Sequence, residues 1–200
     1  MNDLPKALAS LLPPDLLDAC RTECLPKGAR LFHVGEPPQW MFFVGCGEVV
    51  LERTSDDGGT LVLQRQRGGF VAEASLQSSH YHCDARVTIA AQITRVPARL
   101  LREALASDGA FAMRWISMLN AELRRVRQQC ERLSMRRVHQ RLLHWLATSP
   151  GGQFDGAGGL KSLAAELGVT HEALYRCLSE LEARGQVRRE AQGGVSLVRG

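Results

Sequence analysis

A glutamate and an arginine stand one helical turn apart near the end of the chain, and their side chains have the chemistry to read nucleic-acid bases. Glu172 and Arg176 have the four-residue spacing that puts two side chains on one face of an α-helix. In a DNA major groove, a carboxylate accepts a hydrogen bond from cytosine N4 and a guanidinium pairs with guanine O6 and N7. The alternative is an ion pair on a solvated helix surface, which contributes about 0.2–0.5 kcal/mol.

The segment around this pair has the pattern of two short helices joined by a tight turn. Apolar residues recur at helical spacing: Leu163, Ala164 and Leu167 in the first helix, and Leu174, Cys177, Leu178 and Leu181 in the second. Gly168 supplies the turn, Thr170 is placed to cap the second helix, and Gly185 is placed to end it. The following VRREAQGGVSLV predicts two short strands. This order predicts a winged helix-turn-helix, with Cys177 as a small buried hydrophobe.

The polar residues of the two helices divide by the DNA group that each is expected to contact. The predicted base-reading residues are His171, Glu172, Tyr175 and Arg176. The predicted phosphate contacts are Lys161, Ser162, Thr170 and Ser179. Arginines crowd into the same part of the chain: Arg124, Arg125, Arg127, Arg132, Arg136, Arg137, Arg141, Arg184, Arg188 and Arg189. A positive surface of this kind suits a phosphate backbone, although such helix faces also serve solubility.

The composition is that of a globular protein large enough for two small domains. The chain has 200 residues, 44% of them hydrophobic, and a formal net charge of +4. The apolar runs are too short to span a membrane, and the first residues lack the order of a secretory signal, which predicts a cytoplasmic protein. The six cysteines are scattered, so reduced thiols are expected. Cys20 and Cys24 are close in sequence, but no second pair completes four ligands, and no metal site is predicted.

The first half of the chain has the sequence pattern of a β domain, with short β-rich runs separated by glycines. Leucines around Pro13 and Pro14 predict a helical start broken at the prolines. Glycine-separated β-rich runs then extend from Cys24 to about Val96: GARLFHVG, WMFFVGCGEVVLERT, GTLVLQRQ, FVAEASL and DARVTIAAQITRV. The segment SDDGG is a predicted hairpin turn. Such punctuated strands predict a sandwich or jelly roll.

A short helix from Pro97 to Ala106 and then a long one follow the β region. Side chains of the long helix trace a stripe close to heptad spacing: Phe111, Trp115, Met118, Leu119, Glu122, Val126, Gln129 and Leu133. The favoured interpretation is a dimerisation helix that pairs with its copy in a second chain; the alternative is packing on the β domain. The predicted domains are a jelly-roll sensor (1–108), this dimerisation helix (109–134) and the winged helix-turn-helix domain (135–200), an α+β fold.

This order of elements resembles the cyclic-AMP receptor protein and fumarate-nitrate regulator (Crp/Fnr) family of transcription factors. The segment GGFVAEASL is similar to the family motif G-D-F-x-G-E-x-x-L, and LAAELGVTHEALYRCLSELEARGQV is similar to its helix-turn-helix almost position by position. The resemblance implies a cytoplasmic homodimer that binds an inverted DNA repeat with TGA-containing half-sites and acts with RNA polymerase. Glu172 and Arg176 occupy the family's base-reading positions, and Tyr175 replaces the small residue usual there.

The resemblance also identifies where an effector would bind. The corresponding pocket residues are Glu73, Ala74, Cys83 and Asp84. Cyclic-AMP binders have an Arg-Ser pair where this chain has Cys83 and Asp84, and an Asp opposite a phosphate is repulsive. Arg86 is an odd number of residues from Cys83, so the two side chains of a strand would point to opposite faces. Cyclic nucleotide binding is therefore not expected.

The sequence leaves several other kinds of effector as alternatives. The run SSHYHCD offers His80, His82 and Cys83 for haem, although surface histidines are the commoner explanation, and Cys20 with Cys24 only partly imitates an iron-sulfur cluster. An exposed, activated Cys83 would allow redox sensing. An unidentified small effector, or none, is the remaining alternative.

Two rival functions belong to other classes of protein. A cupin-like metal enzyme needs a glutamate after its H-x-H, but Ala85 and Arg86 stand there. A stand-alone small-ligand-binding module would not need the C-terminal wing. No nucleophile elbow, P-loop or dinucleotide fingerprint occurs. A regulator that is not an enzyme is therefore the prediction.

Overall fold

The computed structural model describes residues 4–54, 59–156, 159–190 and 193–198. The fold is α+β, as predicted, and the chain divides into two compact units, residues 1–118 and 119–200. The division falls inside one long helix. Each unit has its own core.

The first unit consists of antiparallel strands flanked by short helices. Its elements are α1 (Lys6–Leu11), α2 (Pro14–Asp18), β1 (Arg21–Leu25), β2 (Arg30–Phe32), β3 (Trp40–Thr54), β4 (Thr60–Gln66), β5 (Gly69–Val71), β6 (Asp84–Pro97), α3 (Ala98–Ser107) and the start of α4 (Gly109–Ser134). The break between α1 and α2 falls at Leu12 and Pro13, as the prolines predict. The predicted SDDGG turn has Ser55 to Gly58 outside the described residues.

The two long strands β3 and β6 form the spine of the sheet. They pair from Trp40 with Pro97 to Glu52 with Asp84. β1 and β2 pair with β6, while β4 and β5 pair with β3. The β3–β6 register shifts near Gly47 (φ +84°), where an added Cβ would lie 2.2 Å from the Ala90 carbonyl oxygen. Only glycine fits this bulge, which bends the sheet around its apolar side.

The β5 region departs from the predicted strand. The strand ends at Val71, because Ala72 takes a left-handed conformation (φ +72°), and the chain continues as a 3₁₀ turn over Glu73–Ser75. The FVAEASL run is therefore half strand and half turn. Sequence periodicity cannot separate these over so short a run, since large apolar residues of both halves, Phe70, Val71 and Leu76, are buried.

The start of α4 packs into the first unit. Phe111 is fully buried and Trp115 is 4% exposed, and the Trp115 ring lies 4.9 Å from that of Phe70. This placement corrects the predicted dimer stripe, because side chains inside the core of one chain cannot face a second. For its first two positions the alternative interpretation, packing on the β domain, holds.

The second unit consists of the remainder of α4, three further helices and a small sheet. Its elements are α5 (Val138–Thr148), β7 (Gln153–Phe154), α6 (Gly159–Leu167), α7 (His171–Ala183), β8 (Val187–Arg189) and β9 (Val195–Leu197), with a 3₁₀ turn over Pro150–Gly152. The strands form an antiparallel sheet in the order β7-β9-β8. Its core includes Leu142, Leu146, Leu163, Leu167, Leu174, Leu178 and Val195. Within the described part of the chain, no helix is long and apolar enough to cross a membrane.

Candidate nucleic-acid interface

Helix α7 is held in place by its apolar face and by a cap at each end. Leu174, Cys177, Leu178 and Leu181 are buried. At the start, the Thr170 hydroxyl accepts a hydrogen bond from the Ala173 amide (3.2 Å), which satisfies one of the free N–H groups of the first turn. Gly168 (φ +64°) forms the preceding turn and Gly185 (φ +67°) follows the helix. The outer face of α7 is therefore carried on a rigid support.

The exposed side of α7 presents the residues with base-reading chemistry. Glu172, Tyr175 and Arg176 are exposed, and His171 is half-buried. In the described part of the chain, neither Glu172 nor Arg176 has an ion-pair partner. Both groups are thus available to a ligand. Arg176 also borders a shallow 210 Å³ cavity between α5 and α7.

The second row of side chains on α7 is engaged with the strand β8. The His171 and Tyr175 rings lie 4.6 Å apart in a T-shaped contact, and the Arg189 guanidinium lies 5.8 Å from the Tyr175 ring centre. Arg189 Nη2 donates to Ser179 Oγ (2.7 Å), and Arg189 Nε lies 3.1 Å from Glu182 Oε2. Sequence reasoning counted Arg189 only as surface charge. The period-two alternation of β8, which puts residue 189 on the face of buried Val187, is the signal that could have placed it.

The residues predicted to contact phosphate differ in exposure and in the hydrogen bonds that their polar groups already make. Lys161 is exposed on α6 and Ser162 is half-buried. The Thr170 hydroxyl serves as the cap of α7. The Ser179 hydroxyl donates to the Tyr175 carbonyl oxygen (3.1 Å) and accepts from Arg189. Of the four, Lys161 has the exposed charge that a phosphate needs.

Arg141 joins the ends of two helices to each other. Its Nε donates to the Met135 carbonyl (2.7 Å) and its Nη2 to the Leu133 carbonyl (3.2 Å), at the end of α4. Its Nη1 donates to the carbonyls of Leu167 (3.0 Å) and Gly168 (3.1 Å), at the end of α6. One guanidinium therefore satisfies the free carbonyls of two helix ends and fixes the turn before α7.

Part of the arginine cluster is committed inside the second unit. Arg132 is 5% exposed; burial lowers the pKa of its guanidinium, and the nearby Glu166 carboxylate opposes that shift. Arg125 lies 2.9 Å from Glu122, and Arg141 bonds to carbonyls. The predicted positive surface is thus smaller than the sequence implied, because helix packing uses these three charges.

The predicted effector residues lie in different local settings. Ala74 is exposed, and Glu73 starts a 3₁₀ turn. Asp84 Oδ1 accepts from the Val34 amide and lies 3.2 Å from His33 Nδ1. Arg86 donates two hydrogen bonds of 2.8 Å to Glu52, so its guanidinium is engaged there. The nearby 190 Å³ cavity is lined instead by aromatic side chains, including Phe32, Trp40, Phe42 and Tyr81.

The cysteines and histidines offer little for a cofactor. Cys83 is 8% exposed and burial raises the pKa of its thiol, so it is neither exposed nor activated, contrary to the redox hypothesis. Burial likewise raises the pKa of Cys20 to about 11. His80 and His82 are exposed and contact Ser79 and Ser78. Among the described residues, no three His, Cys, Asp or Glu side chains gather as a metal site.

Known proteins resemble this chain in a domain and in the fold. Residues 22–108 match the family model of the cyclic nucleotide-binding domain. A comparison with curated protein sequences found no match. Among solved structures, FixK2 from Bradyrhizobium japonicum is 19% identical with a TM-score of 0.71, and the match covers 90% of this chain and 93% of that one.

Two further solved structures carry the same fold. A CooA mutant from Carboxydothermus hydrogenoformans is 17% identical over 96% of this chain and 89% of that one, with a TM-score of 0.72. The c-di-GMP-responsive global regulator CLP from Xanthomonas campestris is 22% identical over 92% of this chain and 96% of that one, with a TM-score of 0.59. Residues 22–108 are thus similar to a cyclic nucleotide-binding domain, and the chain as a whole has the fold of these solved structures.

Proposed function

We propose that the chain is a transcriptional regulator of the Crp/Fnr type, a homodimer that binds an inverted DNA repeat with TGA-containing half-sites. In this proposal α6, α7 and the β8–β9 hairpin are a winged helix-turn-helix, and α7 enters the major groove. The division into a sensor (1–108), a dimerisation helix (109–134) and a DNA-binding domain (135–200) stays part of the proposal, as does recruitment of RNA polymerase.

The observation that carries the proposal is the exposed pair on α7. Glu172 and Arg176 lie one turn apart, without an ion-pair partner among the described residues, on a helix whose opposite face is buried. An ordinary solvated helix would gain from pairing these opposite charges. Leaving them apart keeps a carboxylate and a guanidinium for base edges, where each good contact contributes about 1–3 kcal/mol of discrimination.

A second copy of the chain is the proposed partner of α4. The helix has apolar or thiol side chains at alternating steps of three and four, all exposed or half-buried: Ile116, Leu119, Leu123, Val126, Cys130 and Leu133. This stripe shares only Leu119, Val126 and Leu133 with the one predicted from sequence, since Phe111 and Trp115 belong to the core. A heptad repeat of this kind is the seam of a two-stranded coiled coil. Two-fold pairing would set two α7 helices about one DNA turn apart.

The proposed effector is not a cyclic nucleotide. Asp84 would repel a cyclic phosphate, and Arg86 is paired with Glu52. CLP is described as responding to c-di-GMP, so a protein of this fold can respond to a ligand other than cyclic AMP. An unidentified small molecule, or none, is proposed here.

Selection of bound duplexes from random DNA tests the proposal. The expected result is an enriched inverted repeat whose binding weakens steeply with salt, because each phosphate contact releases counterions. Arg176→Ala should relax one G·C position in each half-site, whereas Arg184→Ala, an exposed arginine at the far end of α7, should not change base preference. The absence of any enriched repeat would overturn the proposal, and an equal loss on every sequence would recast Arg176 as a phosphate contact.

A further inference from the structure

The wing strand β8 sends one arginine onto the recognition face of α7. In β8 the side chains of Val187 and Arg189 lie on one face of the strand and that of Arg188 on the other. Val187 is 2% exposed in the core below α7, so Arg189 lies on the face that packs toward this helix. Arg188 points into solvent.

Arg189 is fixed on α7 by three separate groups. Nη2 donates to Ser179 Oγ at 2.7 Å, Nε lies 3.1 Å from Glu182 Oε2, and the guanidinium faces the Tyr175 ring at 5.8 Å. The Arg189 backbone amide also donates to Glu182 Oε1 at 3.4 Å. A planar fork that meets a carboxylate, a hydroxyl and a ring at once has one orientation, which a lysine cannot reproduce.

Tyr175 contacts both this arginine and a histidine. Its ring lies 4.6 Å from the His171 ring, the Arg189 guanidinium lies 5.8 Å from its centre, and Tyr175 remains 42% exposed. Tyr175 and Arg176 are successive exposed residues of α7, so their side chains point about 100° apart, and a duplex that contacts Arg176 would meet the Tyr175 ring at a neighbouring base pair. A free tyrosine side chain would swing between rotamers and present no fixed surface to a base.

We propose that Arg189 is a specificity-determining residue of the DNA interface, because it holds the Tyr175 ring in one orientation beside Arg176. Nη2 donates to Ser179, and Nε lies beside the Glu182 carboxylate. A wing residue thereby sets which base pair fits against the ring. The inference rests on the proposed DNA-binding function and adds to it a residue outside the helix-turn-helix.

The test compares Arg189→Lys with the matched control Arg188→Lys in the full-length protein. The probes are the duplex selected by the unaltered protein, a set of duplexes with one base pair changed in the half-site, and an unrelated duplex. The measured quantity is the ratio of affinities for selected and changed duplexes, which cancels any inactive fraction of protein. Both variants keep the charge, so a pure charge effect is the same in both.

Arg189→Lys should lower the discrimination ratio about threefold to tenfold at one or two neighbouring positions, the range between an exposed cation–π contact and one base contact. Arg188→Lys should leave every ratio unchanged. In a double-mutant cycle with Tyr175→Ala, the effect of Arg189→Lys on the ratio should vanish, since there is no ring left to hold.

The outcomes distinguish a failure of this inference from a failure of the proposed DNA-binding function. If the unaltered protein selects no sequence, the proposed function fails. If it selects a repeat but Arg189→Lys keeps every ratio, or lowers all affinities alike, Arg189 does not set specificity and this inference is overturned. Additive effects of Arg189→Lys and Tyr175→Ala on the ratio would also overturn it, because the two residues would then act separately.

Discussion

Replacing Arg141 with alanine should loosen the helix pair that presents α7. The side chain bridges the last carbonyls of α4 and α6 with four hydrogen bonds of 2.7–3.2 Å. The bonds to Met135 and Leu167 are partly buried, and those to Leu133 and Gly168 are exposed enough for water to replace them. At about 1–1.5 kcal/mol for each partly buried bond, the expected loss is about 2–3 kcal/mol in the free energy of unfolding of this unit.

Hydrogen exchange followed by mass spectrometry measures this loss where it occurs. Amides of α6 and α7 that exchange through opening of the second unit should exchange about 30- to 150-fold faster in Arg141→Ala, since each 1.4 kcal/mol is tenfold. Amides of β3 and β6, in the other unit, should be unaffected. Arg141→Lys should recover about half of the loss, because an ammonium group reaches one helix end but cannot bridge two.

Arg136→Ala is the matched control, since Arg136 is exposed and makes no hydrogen bond among the described residues. It removes the same charge from the same segment. If the α6 and α7 amides of Arg141→Ala exchange less than threefold faster than those of Arg136→Ala, the bridge contributes nothing beyond charge. The reasoning about shared helix ends would then be refuted.

Three further experiments test the cap, the dimer stripe and a buried thiol. Thr170→Ala should cost about 1 kcal/mol in urea unfolding, because the Ala173 amide loses its acceptor; an unchanged midpoint would contradict the cap. Leu123→Asp should convert the proposed dimer to a monomer, as measured by light scattering. Met113→Asp should not, because Met113 is exposed but does not belong to the stripe on α4. Cys177, whose pKa burial raises to about 11, should resist iodoacetamide at pH 8 under conditions that alkylate exposed Cys24.

Local patterns in the sequence predicted the elements of the second unit well. The turn at Gly168, the cap at Thr170 and the buried face of α7 all follow from glycine, threonine and leucine at helical spacing. These features depend on residues within a few positions of one another. The β texture of the first unit and the helical start broken at the prolines were predictable for the same reason.

The stripe on α4 was only partly predictable. Trp115 and Leu119 lie on nearly the same side of the helix, and their sequence spacing fits either a partner helix or a core. Contact with Phe70, 45 positions earlier in the chain, is what buries Trp115 and turns the exposed stripe toward Ile116 and Leu123. A pairing between residues so far apart leaves no mark in local periodicity.

The sequence by itself determined the exposed chemistry of this protein: a glutamate and an arginine one turn apart on a capped, amphipathic helix followed by a short hairpin. Only the tertiary structure decided which arginines remain for a ligand. It buries Arg132, commits Arg141 to two helix ends and lays Arg189 over Tyr175. The physical reason is that charge is a property of each residue, whereas the partner of a charge depends on which helices and strands pack beside it.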